Sequence, residues 1–159
     1  MVLDKFGILL QELGTIYKTK LAPDKNNACL LKYNNGIQVQ IEPTTNGRSL
    51  HVVTFLGELS QGRFRENVFR EALKSNGLPS PRNGIFAYSK KGEALVLYDL
   101  LYIDEVTGLK LADFLQSFVQ KAELWKGALS KGEVPSYMGN ELSFGGAQKS
   151  PGGIFGLMR

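Results

Sequence analysis

Residues Leu109 to Leu129 read LKLADFLQSFVQKAELWKGAL. Leu111, Phe114, Phe118, Ala122, Trp125 and Leu129 recur every three or four residues, so they share one face of a helix. The opposite face carries Lys110, Gln116, Lys121 and Lys126. The pattern predicts a long helix, capped by Thr107, that lies on an apolar surface and turns its back to water. The stripe reads as structural core, with Trp125 anchoring the end of the fold.

The stretches upstream supply what this helix covers. Leu3, Phe6, Leu10, Leu13 and Tyr17 predict a first helix over about residues 2–18, with Gly14 and Pro23 as stop signals. Strands follow at Ala28–Tyr33 and Gly36–Glu42, joined by Asn34-Asn35-Gly36, a strong hairpin signal. Ile37, Val39 and Ile41 alternate with Gln38, Gln40 and Glu42. Asn46-Gly47 turns the chain into a third strand, Ser49–Leu56. Ser60 is the expected cap of a second helix, Gln61–Asn76, whose apolar side holds Phe64, Val68, Phe69 and Leu73. A loop with Pro79 and Pro81 leads to a second hairpin, Ile85–Ser89 and Ala94–Tyr102, turned at Lys90-Lys91-Gly92. The order α-β-β-β-α-β-β-α is an α+β arrangement: an antiparallel twisted sheet packed against helices. Residues 1–131 read as one domain, and 132–159, rich in glycine with no apolar period, as a flexible tail.

Composition narrows the chemistry. Hydrophobic residues make up 43% of the 159, enough for a core, and no apolar run approaches the roughly 20 residues of a membrane span. The opening MVLDKFGILLQELG is no signal peptide, because Asp4, Gln11 and Glu12 interrupt it and no cleavage site follows. The expectation is therefore a cytosolic protein without membrane insertion. One cysteine, Cys29, and one histidine, His51, exclude a disulfide, a cysteine-built zinc site and most triads. As a dyad the two lack an oxyanion turn and an orienting carboxylate, so they read as a small hydrophobe and a strand-end polar residue. No phosphate loop, metal cluster or cofactor motif emerges, and the dispersed basic clusters behind the net charge of +4 make no nucleic-acid patch. Neither catalysis nor a cofactor is expected. What is left over is apolar surface: Leu30 with Leu31, Val52 with Val53, and Leu95 to Leu97 load both faces of the strands. Either the monomer covers both faces, or one awaits a partner chain or a second copy.

Taken in order, several motifs resemble one family. They are Phe6-x-x-Leu9-Leu10-x-x-Leu13-Gly14, then Asp24, Asn27-x-Cys29-x-Leu31 and the Ile37-x-Val39-x-Ile41 strand. Phe69-x-Glu71-Ala72-Leu73 follows, then Leu95-x-Leu97 and Phe114-x-x-x-Phe118-x-x-x-Ala122-Glu123-x-Trp125. Over about residues 2–130 the chain resembles the class I type III secretion chaperones, the Tir-chaperone (CesT-like) group. The resemblance implies a homodimer in the bacterial cytoplasm that holds the N-terminal segment of a secreted effector extended and export-ready, without ATP. It leaves the export ATPase open as a further partner. An extended peptide of this kind offers backbone groups to a sheet edge and alternate side chains to grooves. Carried over by position, the effector groove falls on Phe6, Leu10, Leu30, Ile37, Val39 and Ile41, each of which is equally a candidate for core. The dimer seam falls on Phe64, Val68, Phe69 and Leu73 with Phe86 and Tyr88, although Phe64 can also pack inward. Such chaperones are typically acidic, and this chain is basic with a glycine-rich tail. A same-topology scaffold without export, or a small hydrolase, stands as the alternative.

Overall fold

The computed structural model describes residues 4–136. Its elements run α1 (Lys5–Tyr17), β1 (Cys29–Lys32), β2 (Gln38–Pro43), β3 (Ser49–Glu58), α2 (Arg63–Asn76), β4 (Ile85–Ser89), β5 (Ala94–Tyr102) and α3 (Gly108–Ser130). This is the expected α+β order. The tail assigned to 132–159 lies outside the described residues from 137 onward, as does the start of the first helix before residue 4.

Local chemistry sets the ends of the elements. Asp4 caps α1 by accepting from the Gly7 N–H at 2.8 Å, and Lys18 ends it in the left-handed region. Thr107 caps α3 as expected, accepting from the Lys110 N–H at 3.2 Å. Gly36 takes φ +85° in the first hairpin, which the Asn-Gly signal requires. Ser60 does not cap α2. The Leu59 N–H is bonded to the Glu93 carbonyl, which pins the chain there. The helix then starts only after Gly62, with no side-chain cap.

The five strands pair antiparallel in the order β1-β2-β3-β5-β4, leaving β1 and β4 as edges. Register puts Leu31, Val39, Thr54, Leu97 and Phe86 in one row and Leu30, Gln40, Val53, Tyr98 and Ile85 in the neighbouring row, on the opposite face. The first face is buried under α1 and α3, with Leu10, Leu13, Ile41, Leu50, Leu111, Phe118 and Trp125 in one core. Phe86 lies against Trp125 with ring centroids 4.0 Å apart. Among the described residues the second face has no helix on it: Leu30, Phe55 and Leu100 are about half exposed and Tyr102 more so.

Two contacts fasten α3 to its surroundings. At the start of α3 the Gly108 N–H donates to Glu12 Oε2 at 2.6 Å, and a Cβ on residue 108 would stand 2.3 Å from the Glu12 Cβ. The other contact corrects the sequence reading. Lys121 is not on the wet back of α3 but buried. The loop between α2 and β4 folds over the helix, and Nζ donates to the carbonyls of Arg82 (2.9 Å) and Gly84 (3.0 Å), 4.7 Å from the Phe86 ring centre. Burial lowers its pKa from 10.5 to about 8, against a smaller upward pull from Asp99 and with some help from Arg82.

Two predictions follow from these contacts. Gly108→Ala should destabilise the fold by about 2 kcal/mol or more in urea denaturation, because backbone and Glu12 must both move. Lys121 binds its proton less tightly folded than unfolded, so its contribution to stability should rise with pH between about 8 and 10.5 and be level below 8. The stability difference between wild type and Lys121→Met should therefore shift in favour of wild type over that window, by on the order of 2 kcal/mol. A difference that stays constant from pH 7 to 10.5 would refute this.

Candidate functional site

Where β1 meets the chain leaving α1, the sheet edge borders a groove of about 550 Å³ lined by Tyr17, Thr19, Leu21 and residues 30–34. Several local features build it. Gly14 allows Thr19 and Leu21 to fold back against α1, since a Cβ there would stand 2.6 Å from the Thr19 carbonyl oxygen. The Tyr17 and Tyr33 hydroxyls are 3.0 Å apart with their rings edge to face, tying the end of α1 to the end of β1. Burial, and then the bond to Tyr17, push the Tyr33 phenol well above its usual pKa. A second groove of about 440 Å³ shares these tyrosines and continues between α1 and α3 past Ile16, Leu109 and Val119. The two form one surface around the tyrosine pair.

The edge of β1 itself is open. Tyr33 N–H bonds the Ile37 carbonyl, and bonded pairs alternate along an antiparallel ladder. Leu31 and Cys29 therefore bond β2, while the backbone groups of Lys32 and Leu30 point outward. Among the described residues none takes up those outward groups. The other edge differs. The Asn76 side chain accepts from the Phe86 N–H at 2.8 Å and donates to its carbonyl at 3.0 Å, so an amide stands in for a neighbouring strand on β4.

A third surface lies between α2 and β4, a groove of about 190 Å³ lined by Phe69, Ala72, Leu73, Tyr88 and their neighbours. Arg65 organises it: the guanidinium donates to the Tyr88 hydroxyl at 3.0 Å and stands 5.4 and 5.8 Å from the Tyr88 and Phe69 ring centres. Leu73 projects from it, 70% exposed.

The residues expected from sequence divide sharply. Of the six placed in the effector groove, Phe6, Leu10, Ile37, Val39 and Ile41 are core, none more than 2% exposed. Alpha-1 packs on α3 and the inner sheet face, so its apolar stripe and those strand residues cover one another. Only Leu30 reaches the surface, at 50%. At the expected dimer seam Val68 and Phe86 are core, Phe64, Phe69 and Tyr88 are half-buried, and Leu73 is exposed. Sequence reading missed Leu21 and the pairing of Tyr17 with Tyr33. Tyr17 was visible only as a stripe residue, and nothing local links it to position 33.

Catalytic geometry does not assemble from the candidates. Cys29 shares a face with Ile41 and Val52, which puts His51 on the other side of the sheet. Burial, with Asp24 assisting, raises the Cys29 thiol, the opposite of an activated nucleophile. His51 Nδ1 instead lies 3.7 Å from Glu42 Oε1. Among the described residues no His, Cys, Asp or Glu group is placed to hold a metal ion, and no helix is long and apolar enough to cross a membrane.

Comparison with solved structures finds the same architecture. The Yersinia pestis type III secretion chaperone SycH, solved with a stable fragment of YscM2, superposes with a TM-score of 0.58 at 22% identity, covering 76% of this chain and 98% of that one. The HopA1-SchA chaperone-effector complex gives 0.65 at 12% identity, over 80% and 100%. A chain of the heterodimeric ExoU-SpcU complex of the Pseudomonas aeruginosa type III secretion system gives 0.58 at 17%, over 80% and 98%. At these identities the likeness is one of fold. Comparison with curated proteins gives no match. The Tir chaperone protein (CesT) family profile matches residues 8–126, three-quarters of the sequence, reaching from within α1 to within α3, and the chain belongs to that family.

Proposed function

We propose that the chain is a chaperone for a type III secreted effector, and that it holds a segment of that effector extended along the edge of β1. Family membership supports the class of partner. The carrying observation for the site is the edge at Leu30 and Lys32, unpaired among the described residues, beside a groove lined by Leu21, Leu30 and the tyrosine pair. A strand laid there gains backbone hydrogen bonds from those residues, and alternate side chains drop toward Leu30, Leu21 and the tyrosine pair. Such binding uses contact area and sheet pairing alone, so it needs no ATP and no catalytic group, and it operates in the bacterial cytoplasm before export.

The same proposal makes the protein a homodimer through the α2–β4 groove, with Leu73 of each subunit entering the other's pocket beside Phe69 and Tyr88. Asn76 already satisfies the β4 edge at Phe86, so the seam is side chain against side chain and not a continuous sheet. The arrangement leaves both β1 edges outward for one long effector segment.

The tests separate the two surfaces. Co-expression with the N-terminal region of a secreted protein, followed by limited proteolysis, should leave a protected fragment on the chaperone. Leu30→Asp should weaken that complex at least tenfold while leaving the chaperone folded, since it puts a charge where an apolar side chain would be buried. Leu73→Asp should convert the dimer to monomer in light scattering. Unchanged affinity for Leu30→Asp would remove β1 from the site, and a wild-type monomer at micromolar concentration would remove the seam.

A further inference from the structure

Leu30 and Lys32 stand two positions apart on β1 and point to the same face of the sheet, while Leu31 between them points to the other. A strand laid on this edge meets that alternation residue for residue. One of its side chains lies beside Leu30, another two positions along lies beside Lys32, and the one between them faces the groove with Leu21 and the tyrosine pair. Lys32 is exposed, and among the described residues it is the one charged side chain lining that groove. Its cross-strand neighbour on β2 is Gln38, not an acid. The acid on that face of β2, Glu42, lies beyond Gln40, roughly 13 Å along the strand. It is also engaged, accepting from Gln40 Nε2 at 3.0 Å with His51 beside it. In the chain between α1 and β1, Lys18, Lys20 and Lys25 are exposed as well. Asp24, the acid in that stretch, accepts from the Asn26 and Ala28 N–H groups at 2.7 and 3.0 Å. Among the described residues none of these four lysines forms an ion pair. Asp113 lines only the continuation of the groove between α1 and α3.

We propose that β1 selects an acidic segment, one that carries Asp or Glu opposite Lys32 and an apolar residue opposite Leu30, two positions apart. Resting on the reading of this edge as the effector site, the inference adds the chemistry of what the site holds. Run antiparallel to β1, the pattern reads acidic-x-apolar from its N-terminus; run parallel, it reads apolar-x-acidic. An ion pair across neighbouring strands is worth only a few-fold in affinity, so Lys32 grades segments and does not gate them. Lys18 and Lys20 add to the same positive field and favour the approach of an acidic chain. Segments with Lys or Arg at that place are disfavoured by the same charge.

Selection of short random peptides displayed on phage against the full chain tests this. Peptides that wild type retains and Leu30→Asp loses define binding at the β1 edge. Among them, Asp or Glu two positions from an apolar residue should outnumber Lys or Arg at that place by about threefold or more. Lys32→Glu should invert the preference, and Lys32→Gln should erase it without inversion, which separates charge from any structural role of the side chain. Equal numbers of acids and bases overturn the proposal, as does an acid preference that Lys32→Glu leaves unchanged. Either result leaves β1 as the site, because loss of binding on Leu30→Asp is scored separately. Peptides retained equally by wild type and Leu30→Asp remove β1 as the site, and the proposal with it.

Discussion

The crossing of α1 over the first turn of α3 holds the rest of the molecule in register. The Glu12 carboxylate takes the Gly108 N–H, one of the donors a helix start leaves without a partner, and the missing side chain at 108 lets the two helices touch. With the helices pressed together there, Phe6, Leu10 and Leu13 can face only the stripe of α3 and the inner sheet surface. This is why residues that read as a binding surface are core. The same crossing aims the far end of α1 at β1, where Tyr17 meets Tyr33 and the groove opens.

The helices cover one face of the sheet, and the two edges are treated differently. Unpaired edges invite association, and proteins commonly blunt them. On β4 the blunting is specific, through the Asn76 amide on both backbone groups of Phe86. On β1 it is weaker: the strand is four residues long and ends in Lys32, whose charge opposes stacking of copies without occupying the edge. Together these choices leave β1 the less guarded of the two edges. They leave α2–β4 as a surface for side chains.

Element order, both Asn-Gly hairpins and the long α3 were legible because each depends on residues close in sequence. Thr107 could be assigned as a cap on the same ground. Burial was less legible. A stripe says which side of a helix is apolar, not whether its cover belongs to the same chain, and so Phe6 and Ile41 could be read either way. Leu30 was no clearer: beside Leu31 it must point to the opposite face of the sheet, but that does not say which face is covered. Lys121 was misplaced for a related reason: its partners are carbonyls of Arg82 and Gly84, and backbone groups leave no mark in sequence. Ser60 failed as a cap because the Leu59 N–H is held by the distant Glu93 carbonyl, which delays the helix.

Beta-1 links stability and binding through adjacent residues. Leu31 is buried under the helices while Leu30 stands at the rim of the groove, and both depend on the one short ladder to β2. A strand with neighbours on one side frays more readily than one with neighbours on both. On the proposed reading, an extended segment that pairs with Leu30 and Lys32 would therefore do more than cover apolar surface. It would give β1 a second neighbour, and steady Leu31 and Tyr33 where they close the core against α1. On that reading, binding at this edge and the order of the core beneath it are thermodynamically linked: whatever loosens β1 would weaken the site, and whatever occupies the site would tighten β1.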